Sequence, residues 1–501
     1  MSSQTYRIVI IGAGPGGLCM GKRLLDEGFK DFIILERADD VGGTWYSHRY
    51  PGCECSIPAV LYSFSFEQNN KWSEFNASQP EILAYMCHIA DKYNLRPHCR
   101  FGNGVTRAEW SDTTSSWMLS LDSGEELEAE VIVSAVGMFN APHYPDISGL
   151  DNFKGTKMHS AQWDSDYDFT RDRVAIIGSG ATAVQLVPEI VKIAPQVYLF
   201  QRTPNWILPM IDFPFSHKRY MATIANPELY NDLRANVERE INAIIFTTSA
   251  DFDPSKLAEF EAISLKTLSI VKDPEVRRKL RPKYPLGLKR EPLSSNLYFP
   301  AFNEPNLELV TEPIAHINEH SIVTYDGRER AIDSIILATG YDTRKFLLAV
   351  DVVGRNGKHI AETWSNGPIA YLGIMISGFP NLFMLYGPNT HIGSIPSMIE
   401  AQVNYILHHL NKMAKDGLAS VDVKPAAMQQ YDYQIQSIIG RSFEWKTDIK
   451  SNYRPLGGRI VTTLPFPVTE YRRITATINH NAFSTMKIAA KGGLNKFKNT
   501  A

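Results

Sequence analysis

The sequence predicts an α/β protein made of two similar three-layer units, in which helices cover both faces of a largely parallel sheet. Three observations support this prediction. A strand, a glycine-rich turn and an amphipathic helix follow one another near residue 10, the same order recurs near residue 175, and a later strand pair follows each of them. Alternating strand and helix patterns of this kind are typical of parallel sheets, whose connections need crossover helices.

The first glycine-rich turn lies in "RIVIIGAGPGGLCMGKRLLDEGFKDFIILER", after the β-branched run 8–11. Gly12 permits the tight turn, Gly14 allows backbone N–H groups to approach a pyrophosphate, and Gly17 allows the helix to pack close to the strand. The positive end of the helix dipole favours the same anion. With a strand on both sides and Glu36 at the end of the second one, the pattern predicts a Rossmann-like dinucleotide-binding unit.

The second unit begins in "RVAIIGSGATAVQLVPEIVKIAPQVYLFQRTPNW". Gly178 and Gly180 form its turn, and Ala183 replaces the third glycine. Pro188 falls inside the following helix pattern, where a proline costs about 3 kcal/mol in a regular helix, so we expect a kink or an early end there.

The two units carry opposite charges at equivalent positions. Glu36 follows Gly12 by the same interval at which Arg202 follows Gly178. A carboxylate accepts hydrogen bonds from free ribose hydroxyls and repels a 2′-phosphate, whereas a guanidinium can bind that phosphate in a bidentate manner. We therefore expect FAD or NAD in the first unit and NADPH in the second.

A repeated strand-turn-strand pattern also supports two units with the same architecture. "WMLSLDSGEELEAEVIVSAVG" and "SIVTYDGRERAIDSIILATG" each predict a strand, a tight turn and a buried strand ending at Gly137 or Gly340. Two different dinucleotides on one chain indicate hydride transfer between them, and NADPH reducing a bound flavin is the simplest interpretation.

Composition excludes several other classes. The chain has 501 residues, 44% hydrophobic and 21% charged, with a net charge of −3, so it has room for two or three domains and no basic surface for nucleic acid or anionic membrane. Five cysteines without framework spacing suggest free thiols, and neither a spanning segment nor a signal peptide is apparent. We expect a soluble, cytoplasmic protein, either a monomer or a weak homo-oligomer.

The segment between the two units has its own pattern. "FKGTKMHSAQWD" resembles the FxGxxxHxxxW[P/D] fingerprint of the Baeyer–Villiger monooxygenases through Phe153, Gly155, His159, Trp163 and Asp164. "GGTWYSHRYPG" is similar to the second signature of that family, "RTPNW" to its NADPH loop and "YPLGLKR" to its catalytic-arginine segment. The resemblance covers most of the chain and fades after about residue 440. Related flavin monooxygenases that oxidise nitrogen or sulfur usually have another residue in place of Trp163, which favours Baeyer–Villiger chemistry.

The resemblance implies the cofactors FAD and NADPH, and a reaction in which a flavin peroxide attacks a ketone and one oxygen atom of O₂ is inserted beside the carbonyl to give an ester or lactone. It assigns Arg290 to stabilisation of the peroxide, Lys289 to the 2′-phosphate, and His159 and Trp163 to coupling between the domains. The residues expected to contact FAD are Gly12, Gly14, Gly17, Glu36, Gly43, Thr44, Trp45 and Tyr50, and those expected to contact NADPH are Gly178, Ser179, Gly180, Ala183, Arg202, Thr203 and Lys289.

One position departs from the family pattern. Ser56 stands where the family usually has an aspartate that hydrogen-bonds the catalytic arginine. We expect Arg290 to be held less firmly by Ser56, or to be held by Glu54 instead. Cys53 and Cys55 show neither the CxxC nor the CxxxxC spacing of disulfide reductases and no further metal-ligand pattern, so we expect no metal site.

The predicted domains are discontinuous. Residues 1–145 and 341–501 form the FAD domain, 146–212 and 283–340 form the NADPH domain, and 213–282, rich in helix formers, form a helical insertion. Residues 386–398 contain a third glycine-rich turn, where the chain should return to the flavin. Two other functions stay open: an N- or S-oxygenating flavin monooxygenase, and a flavoprotein that consumes NADPH without coupled oxygenation or binds nucleotides without turnover.

Overall fold

The structure is a computed structural model, and it describes residues 4–210, 222–223, 225–244, 255–288, 292–442 and 458–488. Two residues expected at the site, Lys289 and Arg290, lie outside the described residues.

The strands run in chain order as β1 (Gln4–Ile11), β2 (Phe32–Leu35), β3 (Cys99–Arg100), β4 (Val105–Ser111), β5 (Ser116–Leu121), β6 (Glu126–Ser134), β7 (Thr156–His159), β8 (Arg173–Ile177), β9 (Gln196–Phe200), β10 (Ile207–Leu208), β11 (Leu293–Ser294), β12 (Leu307–Val310), β13 (Ile314–Ile317), β14 (Ser321–Thr324), β15 (Glu329–Ala331), β16 (Ser334–Leu337), β17 (Asp351–Val353), β18 (Leu382–Met384), β19 (Leu418–Val423) and β20 (Phe483–Lys487).

The helices are α1 (Pro15–Asp26), α2 (Thr44–Ser47), α3 (Gln79–Lys92), α4 (Ala181–Val191), α5 (Pro227–Ile244), α6 (Ser255–Leu268), α7 (Pro274–Leu280), α8 (Tyr298–Ala301), α9 (Ile360–Thr363), α10 (Ile395–Asp416), α11 (Pro425–Ile439) and α12 (Val468–Thr475). Short 3₁₀ turns occur at Ala59–Leu61, Arg96–His98, Leu150–Asn152, Phe346–Ala349, Arg355–Gly357 and His480–Ala482. Among the described helices, none combines the length and the apolar character that crossing a bilayer requires.

The first sheet has β1 in its parallel core, between β2 and β6. Its order is β17-β4-β5-β6-β1-β2-β3, and β18 also pairs with β6. The early part of β6 pairs antiparallel with β5, whereas its last residues pair parallel with β18. Because residues 8–11 of β1 and all of β2 are buried on both faces, these stretches are continuous apolar runs, as the sequence predicted.

The second sheet is entirely parallel, in the order β12-β9-β8-β16-β7. Its central strand β8 lies directly before the second glycine-rich turn, as β1 lies before the first. The α/β fold with two dinucleotide-binding units that the sequence predicted is therefore confirmed.

The second strand-pair repeat differs from its prediction. β5 and β6 form one hairpin, and β6 continues into the parallel core. In the second unit, β14 pairs with the short β15 in a separate three-stranded sheet, and the chain then turns at Asp333 into β16. Asp333 makes this break because its carboxylate accepts from the backbone N–H of Arg173 at 2.9 Å and binds the Arg173 guanidinium at 2.8 Å.

The early end of α4 expected at Pro188 is wrong, and the kink expected as its alternative stays a prediction. The helix continues to Val191, with the proline ring buried and placed in its second half. The apolar side chains around the ring are buried in the main core, so tertiary packing offsets the lost backbone hydrogen bond.

Helices α5, α6 and α7 occupy the described part of residues 213–282. One face of α5 packs against the 3₁₀ turn Ala59–Leu61 of the first unit through Tyr230, Leu233 and Val237. The Arg234 guanidinium also donates to the carbonyl oxygen of Val60 at 2.9 Å. This helix therefore docks on the first unit, although its chain position lies within the second.

The chain crosses between the two units twice, and the two crossings lie side by side. Residues 141–143 and 340–342 form a short antiparallel ribbon, called here the crossover ribbon. The backbone N–H of His143 donates to the Gly340 carbonyl at 2.9 Å, and that of Asp342 donates to the Ala141 carbonyl at 3.0 Å. The two units are thus joined by a paired, ordered connection.

Candidate active site

An open cavity of about 1450 Å³ lies between the two units and is lined by both glycine-rich turns. Sites for one drug-sized ligand usually measure about 300–1,000 Å³. The cavity is therefore large enough for more than one ligand, and its position gives both turns access to the same space.

The first turn is built so that side chains would not fit. A Cβ on Gly17 would lie 1.9 Å from the carbonyl oxygen of Gly12, and a Cβ on Gly43 would lie 2.8 Å from the Cα of Gly14. Gly12 itself has a φ of +106° and packs against the Ala135 carbonyl, to which a Cβ would come within 2.7 Å. These close approaches leave a cradle of bare backbone on the cavity wall, and a pyrophosphate fits such a cradle.

The second turn repeats this geometry. Gly178 has a φ of +114°, and a Cβ there would lie 2.3 Å from the Ala338 carbonyl oxygen. Gly14 and Gly180 precede α1 and α4 with nearly the same backbone angles, φ −75° with ψ −170° and φ −75° with ψ −165°. Ala183, in the place of the third glycine, is fully buried. Each helix N-terminus thus faces the cavity behind a turn of the same shape.

Glu36 lies at the end of β2 and is only 7% exposed. One carboxylate oxygen accepts from the Ala13 N–H at 2.7 Å and the other from the Ala38 N–H at 2.9 Å. These two bonds orient the carboxylate at the cavity wall, and each oxygen keeps a further lone pair for a ribose hydroxyl.

Arg202 lies at the end of β9 with its side chain exposed and on the lining of the cavity. Beside it, the Ser179 hydroxyl donates to the Thr203 carbonyl at 3.1 Å, which ties the glycine-rich turn to the loop that carries the arginine. The side-chain amide of Asn205 also donates to the Ser179 carbonyl. The structure thus places a positive side chain after β9, at the position that matches the negative Glu36 after β2.

Helix α2 and the loop after it line the cavity between the two turns, the helix with Thr44 and Trp45 and the loop with Tyr50. The Trp45 ring N–H donates to the Tyr62 hydroxyl at 2.8 Å, which fixes the indole. The Tyr50 hydroxyl donates to the Gln185 side-chain oxygen at 2.8 Å. Since Gln185 belongs to α4, Tyr50 joins the two units, a role that the sequence did not indicate.

Glu54 and Ser56 both line the cavity beyond Tyr50. Burial, with a smaller effect of the nearby Glu74 carboxylate, raises the pKa of Glu54 to about 7. Burial likewise raises the pKa of each neighbouring thiol, Cys53 and Cys55, to about 12, so these cysteines stay protonated and unreactive near neutral pH. All five cysteines of the chain are free.

His159 ends β7 at the edge of the second sheet and is buried. Its ring contacts those of Tyr144 and Tyr341, with centroids 5.3 and 5.9 Å away, and burial lowers its pKa. Gly155, earlier in the same segment, packs so closely on Asp333 that a Cβ would lie 2.2 Å from its carbonyl oxygen. Trp163 packs on Phe169, with a centroid distance of 5.6 Å.

Sequence reasoning missed three side chains at this site, His48, Gln185 and Tyr341, all of which line the cavity. A signal was present for Tyr341, because it follows the closing glycine Gly340 as Met138 follows Gly137. His48 lies within the quoted stretch GGTWYSHRYPG, but the partners of His48 and Gln185 lie far away in the chain, so the local sequence did not indicate these contacts.

The fold and cavity define a two-dinucleotide oxidoreductase, and the comparisons with known proteins agree. The family model described as "Pyridine nucleotide-disulphide oxidoreductase" matches residues 9–244. A Baeyer-Villiger monooxygenase of Streptomyces coelicolor is 38% identical over 97% of this chain and 94% of its own length, and one of Pseudomonas aeruginosa is 37% identical over 98% and 93%.

Solved structures extend this similarity to three dimensions. Cyclohexanone monooxygenase from Rhodococcus sp. Phi1, bound to NADP⁺, superimposes with a TM-score of 0.87 at 27% identity over 97% of this chain and all of that one. An oxidised steroid monooxygenase bound to NADP superimposes with a TM-score of 0.83 at 29% identity, with the same coverage. The chain belongs to the Baeyer–Villiger monooxygenase family.

Proposed function

We propose that the protein is an FAD- and NADPH-dependent monooxygenase that inserts one oxygen atom of O₂ beside a ketone carbonyl to give an ester or lactone. The observation that carries this proposal is the shared cavity. Two glycine-rich turns of similar shape line it, with Glu36 beside the first turn and Arg202 beside the second. Family membership and the FAD- and NADP-bound structures of relatives support the same chemistry.

The residues present fit both cofactors. The bare-backbone cradle of Gly12, Gly14 and Gly43 would hold the FAD pyrophosphate, with Glu36 on its ribose and Thr44, Trp45 and Tyr50 along the flavin side. Gly178, Ser179 and Gly180 would hold the NADPH pyrophosphate, with Arg202 and Thr203 at the 2′-phosphate. When bound, the two cofactors supply hydride transfer and oxygen activation.

The chain's own residues have separate tasks. From its place in the family pattern, we assign Arg290 to stabilising negative charge on the reacting oxygen, since a guanidinium remains charged in a dry site. Lys289 adds positive charge for the 2′-phosphate. The closing of the cavity by both units would exclude water from the reaction.

We expect Ser56 and Glu54 to set how firmly Arg290 is held. Ser56 can accept a hydrogen bond but brings no charge, whereas a charge-assisted bond to a carboxylate is roughly twice as strong. We expect Ser56→Asp to raise the fraction of NADPH oxidation that yields ester instead of hydrogen peroxide. The measurement is the ratio of the two products, and an unchanged ratio would reject this role for Ser56.

The decisive test of the function is product analysis of the purified yellow protein with NADPH, O₂ and a panel of cyclic, linear and aryl ketones. Esters or lactones are the expected products. If only sulfides or amines are oxidised, the enzyme is instead an N- or S-oxygenating monooxygenase. Stoichiometric hydrogen peroxide with every substrate would show an uncoupled flavoprotein, and a colourless protein without flavin would contradict the whole proposal.

The domain assignment also remains a proposal: residues 1–145 with 341–501 for FAD, 146–212 with 283–340 for NADPH, and 213–282 as an insertion. Its support is that β17 and β18 join the sheet of β1, while the crossover ribbon lies at the proposed boundaries. We assign His159 and Trp163 to coupling between these domains. The free thiols favour a cytoplasmic location, and we expect a monomer or weak homo-oligomer.

A further inference from the structure

His48 and Tyr341 form a contact between the first unit and the crossover ribbon, and none of the tasks above uses it. His48 lies just after α2 in the first unit, and Tyr341 lies in the crossover ribbon. The Tyr341 hydroxyl and His48 Nε2 are hydrogen-bonded, and the two ring centroids are 5.4 Å apart. The pair joins residues that are 293 positions apart in the chain.

The direction of this hydrogen bond follows from the other side of the imidazole. His48 Nδ1 lies 2.7 Å from the carbonyl oxygen of Thr44, and because a carbonyl can only accept, Nδ1 must carry the hydrogen. In the neutral ring, Nε2 is then an acceptor, and the Tyr341 hydroxyl donates to it. Burial lowers the pKa of His48 and raises that of Tyr341, so both groups hold the required protons near neutral pH.

The pair connects two structures that matter for the cofactors. Through Nδ1, His48 is fixed to Thr44, the first residue of α2, which belongs to the proposed flavin side of the cavity. Tyr341 is held by the ribbon and is surrounded by the rings of Phe139 and His159, with centroid distances of 5.4 and 5.9 Å. Because Tyr341 lies in the ribbon that leads out of the second unit, a shift of that unit relative to the first would be transmitted through the ribbon to the His48–Tyr341 bond.

We propose that His48 and Tyr341 are positioning residues that fix the orientation of the NADPH unit relative to the flavin side, and so set the rate at which bound NADPH reduces the flavin. Neither side chain reacts. The inference rests on the proposed function. Hydride transfer depends steeply on the placement of the two reactants, so a small change in orientation is sufficient to slow it.

Four variants test the pair. Tyr341→Phe removes only the hydroxyl. His48→Asn can keep the bond to Thr44, because its amide reaches the position of Nδ1, but it loses the acceptor for Tyr341; His48→Gln places an acceptor near the position of Nε2 instead. The double variant Tyr341→Phe/His48→Asn measures whether the effects of the two single substitutions depend on each other. The control is Tyr325→Phe, because Tyr325 is exposed and lies outside the cavity.

The first measurement is anaerobic stopped-flow reduction of the bound flavin by NADPH. We expect Tyr341→Phe and His48→Asn each to slow reduction about three- to tenfold, the range for losing one hydrogen bond, and the double variant to be no slower than either. His48→Gln should recover most of the rate, and Tyr325→Phe should match the wild type. Additive effects in the double variant, or unchanged rates in both single variants, would overturn the proposal.

The second measurement needs no turnover. Amide hydrogen exchange in residues 141–143 and 340–342 should be faster in Tyr341→Phe and His48→Asn than in the wild type, with flavin content unchanged. Unchanged exchange in the ribbon would overturn the proposal, and loss of flavin in these variants would show a role in local folding instead. If NADPH fails to reduce even the wild-type flavin, the proposed function fails, whereas the exchange result still tests the contact.

Discussion

At the scale of single residues, we propose that nucleotide choice depends on side chains beside two turns whose glycines have nearly the same backbone angles. The glycines set the backbone, and Glu36 and Arg202 then occupy matching strand ends with opposite charges. Because the glycine backbone angles are nearly the same, we expect the charge at this position to distinguish the two pockets. Two substitutions separate these contributions.

The first prediction concerns Arg202. We expect Arg202→Gln to raise the KM for NADPH about 10- to 100-fold, which is the factor expected for the loss of one charge-assisted hydrogen bond. The KM for NADH should stay nearly unchanged. The measurement is NADPH and NADH oxidation under the same conditions. Arg171→Gln, an exposed arginine of the same unit outside the cavity, is the matched control and should change neither value. Equal changes for both nucleotides would contradict the assignment.

The second prediction concerns Gly17. A Cβ there would lie 1.9 Å from the backbone oxygen of Gly12, so Gly17→Ala must move α1 away from β1. We expect a loss of about 1–3 kcal/mol or more in stability, together with loss of bound flavin, measured by thermal unfolding and by absorbance. In Gly16→Ala, the Cβ meets only the Ala135 and Leu385 side chains at 3.3 and 3.4 Å, so this variant should keep its flavin.

At the scale of elements, α10 shows how one helix serves both the site and the core. Its N-terminal turn follows the cavity-lining segment around His391, and the Ser394 hydroxyl accepts from the Ser397 N–H at its start. Further along, His409 is buried among Phe383, Tyr405 and Phe483, whereas its neighbour His408 is exposed. Adjacent histidines on one helix therefore have different consequences for stability.

The third prediction follows from this difference. Burial lowers the pKa of His409 to about 3, so the unfolded chain binds a proton more readily than the folded one as the pH falls below 6.5. Each pH unit below 6.5 should cost about 1.4 kcal/mol of stability through this group, until the folded pKa is approached. His409→Gln should flatten the pH dependence of the apparent melting temperature between pH 6.5 and 4.5, while His408→Gln should retain it. Parallel curves for His409→Gln and the wild type would disprove this effect.

At the scale of the whole molecule, the cavity makes cofactor binding part of the folding energy. Its walls come from both units, which meet through the crossover ribbon, the Tyr50–Gln185 bond and the His48–Tyr341 pair. A ligand in this space contacts residues that are distant in the chain, so it stabilises the folded arrangement and has no comparable site in the unfolded chain.

The fourth prediction tests this linkage. NADP⁺ at 100 times its Kd should stabilise the flavin-loaded protein by about 2.7 kcal/mol, seen as a higher melting temperature, and removal of FAD should lower that temperature. In Arg202→Gln, the NADP⁺ effect should need a higher concentration, while the effect of FAD should stay the same. A flavin-free protein that melts like the loaded one would contradict a site built from both units.

The local sequence was sufficient for the glycine-rich turns, the strands beside them and the charged residues at the strand ends. These features depend on residues within one strand-turn-helix-strand unit. The backbone conformation of that unit allows only particular residue types at some positions, such as glycine where φ is positive. The helical character of the described part of the insertion follows equally from local propensity.

Only the tertiary structure decided how the two units meet. The break between β15 and β16, the continuation of α4 through Pro188, the docking of α5 on the first unit, and the pairing of His48 with Tyr341 all depend on neighbours far away in the chain. Such contacts are selected by packing and by the satisfaction of buried polar groups, and these leave no periodic or motif-like mark in one sequence. The sequence by itself therefore determined which nucleotides and which chemistry to expect, whereas the tertiary structure decided how the two nucleotide sites share one cavity.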